Sequence, residues 1–506
     1  MPKTDVLIVG AGPTGLTLAC RLAEQGVAFR IIDSAESPPA GSRGKGLQPR
    51  SLELFDTLGV VDRIVANGSF DIAVQRHGGG AAPPADGPDW PPRPDAPYRK
   101  SLITPQWRVE ETLRARLEEL GGQVEFGVEL TDFTQDESGV AASLAQTGGA
   151  ETVEALWLVG CDGGKSSVRH IAGIAFLGKT LETHRMIVAD MHVAGVDSDH
   201  WHMWSSPEGM LALCPLPSTD VFQLQASIAP NQTPGTTLEE IQRTADARTG
   251  RTDIRLSAPS WVSLWRANLR IVDRYRAGRV FLAGDAAHCH SPAGGQGMNT
   301  GIQDAFNLSW KLASVIGGAD AALLDTYEEE RLPIARDVLE LSNTLMQATV
   351  AAGSFAFRRD DRTAQLSINY RADGLTRELR PDGDGLRAGD RAPQAPGLVG
   401  PQGPCSLFDL LRGSHATVLG FGARWAPVLD ACAARFGKSL RAYAITAEGD
   451  GGDGIVDQHG HARAAFGEDA LFVVRPDNYI GLATVTVDEN PIIDYLQAIL
   501  PVDRPG

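Results

Sequence analysis

Residues 6–33 read as a strand, a glycine turn, a helix and a second strand, and few folds accept that pattern. Residues 6–9 form a continuous apolar run, as expected of a parallel strand buried on both faces. Gly10-Ala11-Gly12-Pro13-Thr14-Gly15 follows, then a helical segment over about 13–25 closed by Gly26. Residues 29–32 make a second apolar strand ending in Asp33. Together these predict a compact βαβ unit in an α/β domain. Gly10 permits the tight turn, Gly12 lets the backbone approach a pyrophosphate, and Gly15 lets the helix pack on its strand. The helix start offers free N–H groups and a partial positive charge. Asp33 stands where an acidic side chain receives a ribose hydroxyl. The unit is therefore expected to bind a dinucleotide through residues 10–15 and Asp33.

The length of 506 residues predicts two or three domains. A net charge of −17 argues against nucleic acid or an anionic membrane surface as a partner. The six cysteines lack a CxxC spacing and are expected to be reduced thiols of a cytoplasmic protein. No apolar run approaches the roughly 20 residues of a membrane span. The run before Gly10 is too short for a signal peptide.

Further along, 77–97 is rich in Pro and Gly, 105–120 is helical, and 123–160 alternates like antiparallel strands. Residues 186–228 read as a sheet, in which Phe222, Leu224, Ala226 and Ile228 alternate with Gln223, Gln225 and Ser227. Residues 279–283 read as a buried strand, and 298–315 and 325–348 as helices. The pieces 1–76, 101–178 and 271–372 are expected to form the nucleotide-binding domain, with an excursion at 77–100. A β-sheet substrate domain is expected at 179–270, a linker at 373–390 and a small third domain at 391–506.

A second motif separates flavin from nicotinamide binding. The strand before Gly284-Asp285-Ala-Ala-His288 is followed by Pro292-Ala-Gly-Gly-Gln-Gly-Met-Asn-Thr-Gly301, which leads into a helix. Glycines 294, 295 and 297 expose backbone amides, and the helix aims its positive end at the turn. That suits an isoalloxazine ring, which becomes anionic on reduction.

On these residues the chain resembles the class A flavoprotein aromatic hydroxylases, of the p-hydroxybenzoate hydroxylase type, over about residues 4–350. The GDAAH motif with its continuation to Leu312 carries the resemblance, as does Cys161-Asp-Gly-Gly-Lys-Ser-Ser-Val-Arg169. The resemblance implies non-covalent FAD, with NADPH or NADH as co-substrate and O2 as oxidant. It implies that O2 adds at flavin C4a and that the hydroperoxide oxidises an aromatic ring. By the same resemblance, Gly284 and Asp285 would hold the ribityl chain. Pro292, Gly295, Gly297, Met298 and Asn299 would line the flavin, and Gln106 would contact the cofactor. Arg43 would sit near the pyrophosphate and the mobile flavin, the Leu130 backbone would meet the adenine, and Asp162 would serve the cofactor site. Arg43, Pro292 and Gly295 are the catalytic candidates, as groups that position the flavin; no acid or base is assigned. Asp33 departs from the usual glutamate.

The C-terminal stretches Gly389-Asp-Arg-Ala-Pro393, Leu407-Phe-Asp-Leu-Leu411 and Leu471-Phe-Val-Val-Arg-Pro-Asp477 resemble the three-domain hydroxylases of aromatic polyketides, with phenol and rifampicin relatives. That resemblance implies a thioredoxin-like third domain, without its redox CxxC, and a polycyclic substrate. Trp204, Phe222 and Leu224, with Trp201, Trp261 and Trp265, are the candidates for a flat substrate pocket. No tyrosine lies between 99 and 274 to deprotonate a phenol. His288 and His290 have no partners at metal-ligand spacing, so no metal is expected. A monomer or homodimer is expected. Baeyer–Villiger oxygenation of a polycyclic ketone, hydroxylation of a smaller phenol or an antibiotic, and flavin binding without oxygenation remain alternatives.

Overall fold

The computed structural model describes residues 3–39, 41–42, 44–78, 93–229, 232–291, 294–352, 360–381, 385–448 and 454–501. The first sheet is built on the strand Lys3–Val9, which lies parallel between Phe29–Asp33 and Gly149–Gly160. Val124–Phe126 extends it on one side and Val280–Leu282 on the other, both parallel. The central strands are buried in one core with helices Pro13–Glu24, Gln106–Glu119 and Gly297–Ile316 and with residues Leu130, Phe133, Ala142 and Leu144. The 123–160 region splits as expected into a hairpin, Val128–Gln135 with Val140–Gln146, that continues into Gly149–Gly160.

The second sheet has seven strands, in the order His288–Cys289, Arg255–Val272, Phe176–Ala194, Val221–Ile228, Gly209–Pro215, His200–Ser206 and Ala73–His77. Ala73–His77 joins parallel at the edge, so the chain has left the first sheet before residue 76. Residues 79–92 of the expected excursion lie outside the described residues.

An eight-stranded third sheet is centred on Ala416–Phe421, parallel to Leu440–Thr446 and antiparallel to Leu471–Val474. The stretch expected to be a linker supplies one of its edges. Arg377–Glu378 pairs parallel with Ile480–Thr484, and the Glu378 carboxylate is paired locally with Arg380. A composition rich in Gly, Asp and Arg reads as a linker because a two-residue edge strand leaves no periodicity to detect.

The third sheet is fastened to the first domain by buried ion pairs. Arg475 donates to both Glu330, at 2.5 and 3.0 Å, and Asp477, at 2.6 and 3.0 Å, all buried. Lys311 reaches Glu330 at 2.7 Å, Arg50 donates to the Asp477 carbonyl, and Arg391 reaches Glu53 at 2.8 Å. Arg475→Met leaves buried Asp477 without its ion-pair partner and Glu330 with Lys311 alone, and is expected to cost about 3–5 kcal/mol of stability. Thermal unfolding of the variant and of R475M/E330Q checks this: the double variant should recover part of the loss.

Candidate functional site

The glycine turn closes as its sequence requires. Gly10 has φ +102°, and a Cβ there would lie 2.5 Å from the Cys161 carbonyl oxygen. A Cβ on Gly15 would lie 2.0 Å from the Gly10 oxygen, whereas one on Gly12 would meet nothing within 4 Å. Two glycines are thus demanded by packing, and the third faces open space. Helix Pro13–Glu24 starts without a side-chain cap, which leaves its first-turn amides free for a ligand. Asp33 accepts from Ala11 N at 2.8 Å and from Ala35 N at 2.9 Å, tying the turn to the second strand.

Thr14 is the junction of this turn with the second motif. Its Oγ1 lies 2.5 Å from the Cβ position of Gly284 and 2.4 Å from that of Gly301. Arg169 donates to the Ala286 and Gly164 carbonyls, both at 2.9 Å, and stacks on Phe176, so the loop at 161–166 is tied to the Gly284 turn. Asp162 Oδ2 accepts from Val168 N at 3.1 Å, while its Oδ1 is buried with no partner among the described residues. Burial raises its carboxyl above the usual range. Asp285 is exposed on the turn Gly284–Ala286, its Oδ1 3.9 Å from the Cβ position of Gly297.

Beneath the turn lies a buried polar hub that the sequence reading missed. Asp304 Oδ2 accepts from Gly284 N at 3.0 Å and pairs with His288 Nε2 at 2.7 Å; its Oδ1 accepts from Arg331 Nε at 2.7 Å. Burial works to raise the Asp304 carboxyl, but Arg331 and His288 outweigh it and hold it below the usual range. His290 Nε2 lies 2.9 Å from His288 Nδ1. The two histidines thus belong to the turn's support, and no metal-like cluster occurs among the described residues. Asp304 stands inside the quoted motif continuation; Arg331 carries no sequence signal.

Gly294 and Gly295 adopt φ of +80° and +62°, and helix Gly297–Ile316 follows without a side-chain cap. Asn299 accepts from Gln48 N at 2.7 Å and donates to the Gly46 and Gly295 carbonyls at 3.0 and 2.8 Å. Gln48 Nε2 donates to the Gly294 carbonyl at 2.7 Å. Gly44 N donates to Gln106 Oε1 at 3.0 Å, and Met298 lies beside Gly44. The segment around Gly44–Gln48 is therefore bolted to the helix start and to Gln106. Leu130 is buried in the first core beside a bulge in its strand. Arg43 and Pro292 lie outside the described residues.

The same segment faces the second sheet. Ser42 N donates to Asp190 Oδ2 at 2.7 Å, and Gln223 Nε2 donates to the Ser42 carbonyl at 2.6 Å. Lys45 Nζ donates to Gln223 Oε1 at 2.6 Å and lies 4.6 Å from the Trp201 ring centre. Trp261, in register with Asp190, packs against Gly41. This places Trp201, Trp261, Asp190 and Gln223 on the side toward the helix start.

The substrate candidates Trp204, Phe222 and Leu224 are on the other side. They pack with Ile241 and Ala245 of helix Leu238–Thr249 in a separate core, Trp204 stacking on His77 at 4.3 Å. They are corrected here to core residues. Alternation along Val221–Ile228 identifies two faces, but only the position of the helix decides which face is closed. Gln223 and Gln225, which alternation alone assigns to solvent, occupy the site side.

The family described as "FAD binding domain" matches residues 3–342. A flavin-dependent monooxygenase of Mycobacteroides abscessus is 40% identical across 98% of this chain and 100% of its own length. The 6-methylpretetramide 4-monooxygenase of Streptomyces rimosus is 39% identical over 68% of this chain and 62% of its own. The crystal structure of aklavinone-11 hydroxylase with FAD and aklavinone superposes over 100% of both chains, with a TM-score of 0.84 and 27% identity.

Proposed function

The chain belongs to the FAD-binding-domain family of flavin-dependent aromatic monooxygenases, and on that premise we propose that it hydroxylates a flat, polycyclic, phenolic substrate of the polyketide type, consuming NAD(P)H and O2. The observation that carries the substrate class is the flat, half-buried Trp201 and Trp261, which stand with three strands between them on the sheet face that the Ser42–Gln48 segment joins to the helix start. The relatives acting on 6-methylpretetramide and aklavinone support it.

The residues present fit FAD. The open space before Gly12, the unpartnered Asp162 Oδ1 and the uncapped helix starts at 13 and 297 are what a pyrophosphate, a ribityl chain and a flavin ring require. On this reading residues 10–15 cradle the pyrophosphate and Asp33 takes a ribose hydroxyl with its remaining acceptor sites. Asp162, Gly284 and Asp285 hold the ribityl chain, while Gln106, Leu130, Gly295, Gly297, Met298 and Asn299 surround the ring system and adenine. Bound FAD supplies hydride acceptance from NAD(P)H and activation of O2. The protein's share is to hold the substrate ring beside it, to exclude water and to support the anionic flavin with the amides of Gly294–Met298. The division into a discontinuous FAD domain, a β-sheet substrate domain and a thioredoxin-like third domain belongs to the same proposal.

The test is NADPH oxidation with a panel that includes anhydrotetracycline, rifampicin and pentachlorophenol. A polycyclic phenol is expected to raise the rate at least about tenfold over the ligand-free rate, as ligand-gated reduction requires. Stimulation by no aromatic compound would count against hydroxylation.

A further inference from the structure

Lys45 is a charged residue that the cofactor reading does not use. It stands among neutral partners: one N–H goes to Gln223 Oε1 at 2.6 Å, and the ammonium lies over the Trp201 ring. The Gln223 amide cannot turn to offer a donor in its place. Its Nε2 is engaged by the Ser42 carbonyl at 2.6 Å, and its Oε1 also accepts from Gln225 at 3.0 Å. The nearby carboxylate, Asp190, is taken up by Ser42 N, and Lys45 forms no ion pair with it among the described residues. Among the described residues, Asp190 and the Cys214 thiol are the titratable groups that face Lys45, and burial pulls the ammonium below its usual range. Part of the lysine surface nevertheless stays accessible. A cation hemmed in by protein, held in no ion pair among the described residues and reachable from outside is the complement of an incoming anion.

Its place in the chain gives the anion a role. Gly44 touches Met298 and Gln106, and Gly46 is held by Asn299, so Lys45 stands between two residues fixed to the helix start of the proposed flavin site. The flat Trp201 ring beneath the ammonium favours a planar ring. No tyrosine lies between 99 and 274 to take up a phenolic proton. We infer that Lys45 binds the ionised hydroxyl of a phenol or enol on the substrate, holding it as the electron-rich anion with its ring beside the flavin. This rests on the hydroxylation reading above and names the chemical group that the site selects.

The probe is 1,2-dihydroxyanthraquinone, whose visible band moves to the red on ionisation, titrated into the FAD-loaded protein across pH. The bound dye is expected to ionise about one to three pH units lower than the free dye, as an adjacent cation dictates. K45M should abolish that shift and K45R should keep it, with FAD content as the check on folding. A second arm needs no variant: the dimethyl ether, which cannot ionise, should bind at least about tenfold more weakly, or 1.4 kcal/mol. No dye binding, an unchanged shift in K45M, or equal binding of the ether overturns the assignment. The dye titration requires no turnover. A chain that ionises the dye yet oxygenates nothing therefore refutes the hydroxylation reading and leaves Lys45 as an anion site.

Discussion

Gly15→Ala is expected to give a folded chain that holds FAD at least about a hundredfold less tightly, a loss of roughly 2.7 kcal/mol. The new methyl carbon would sit 2.0 Å from the Gly10 oxygen, a backbone atom that cannot swing aside as a side chain would. Gly10 is itself confined on its other side, where an added Cβ would be 2.5 Å from the Cys161 carbonyl oxygen. The helix must therefore move outward, at the roughly 1–3 kcal/mol of an overpacked contact. Its first-turn amides then lose their aim, and each hydrogen bond to a charged phosphate carries about 1.5–3 kcal/mol. Gly12→Ala separates the two costs. Its methyl group meets no protein atom, so its thermal stability without flavin should equal wild type while flavin affinity still falls. Flavin fluorescence titration with melting of the flavin-free chains reads both. Wild-type affinity in Gly15→Ala would overturn the account of the turn.

Asp304→Asn is expected to destabilise the chain by about 3–5 kcal/mol, the range for breaking a buried ion pair from one side. The asparagine cannot balance Arg331, which is fully buried and donates to Asp304 Oδ1 at 2.7 Å, nor accept equally from Gly284 N and His288. The Gly284 turn rests on this hub, so FAD content should fall with stability. The pH dependence follows from the direction of the shift. The Asp304 carboxyl is held below its ordinary value of 3.8, chiefly by Arg331 against the opposing effect of burial. Its contribution is thus fully present above that ordinary value and is lost as pH falls through the lower folded one. The gap between wild type and variant should be constant through neutral pH and close only below about pH 4. A gap that closes near neutrality would overturn the assignment of the stabilisation to the Asp304 carboxylate.

The nucleotide-binding unit was legible because its constraints are local. Each glycine from 10 to 15, the strands on either side and Asp33 lie within one βαβ stretch, and their spacing alone predicts the turn that forms. The Gly284 and Asp162 motifs were legible as strings, but their support was not. Arg331 reaches Asp304 from another helix, 27 residues away, and no periodicity announces such a pair. The substrate face was misread for a definite reason. Period two assigns residues to faces without saying which face a helix will close, so alternation alone does not tell whether Phe222 and Leu224 or Gln223 face the site. Lys45 was hidden in a stretch singled out for Arg43. Its meaning appears only when the segment crosses from Asn299 to Gln223, a juxtaposition of residues far apart in sequence.

The account stands on oxygen transfer to an aromatic ring, and mass spectrometry of the product formed under 18O2 tests it most directly. With a polycyclic phenol that stimulates NADPH oxidation, the product should carry one 18O atom with its ring skeleton intact, and none when the label is supplied in water. A lactone or ring-opened product would contradict hydroxylation, and recovery of all the consumed oxygen as H2O2 with every phenol tried would contradict oxygenation itself.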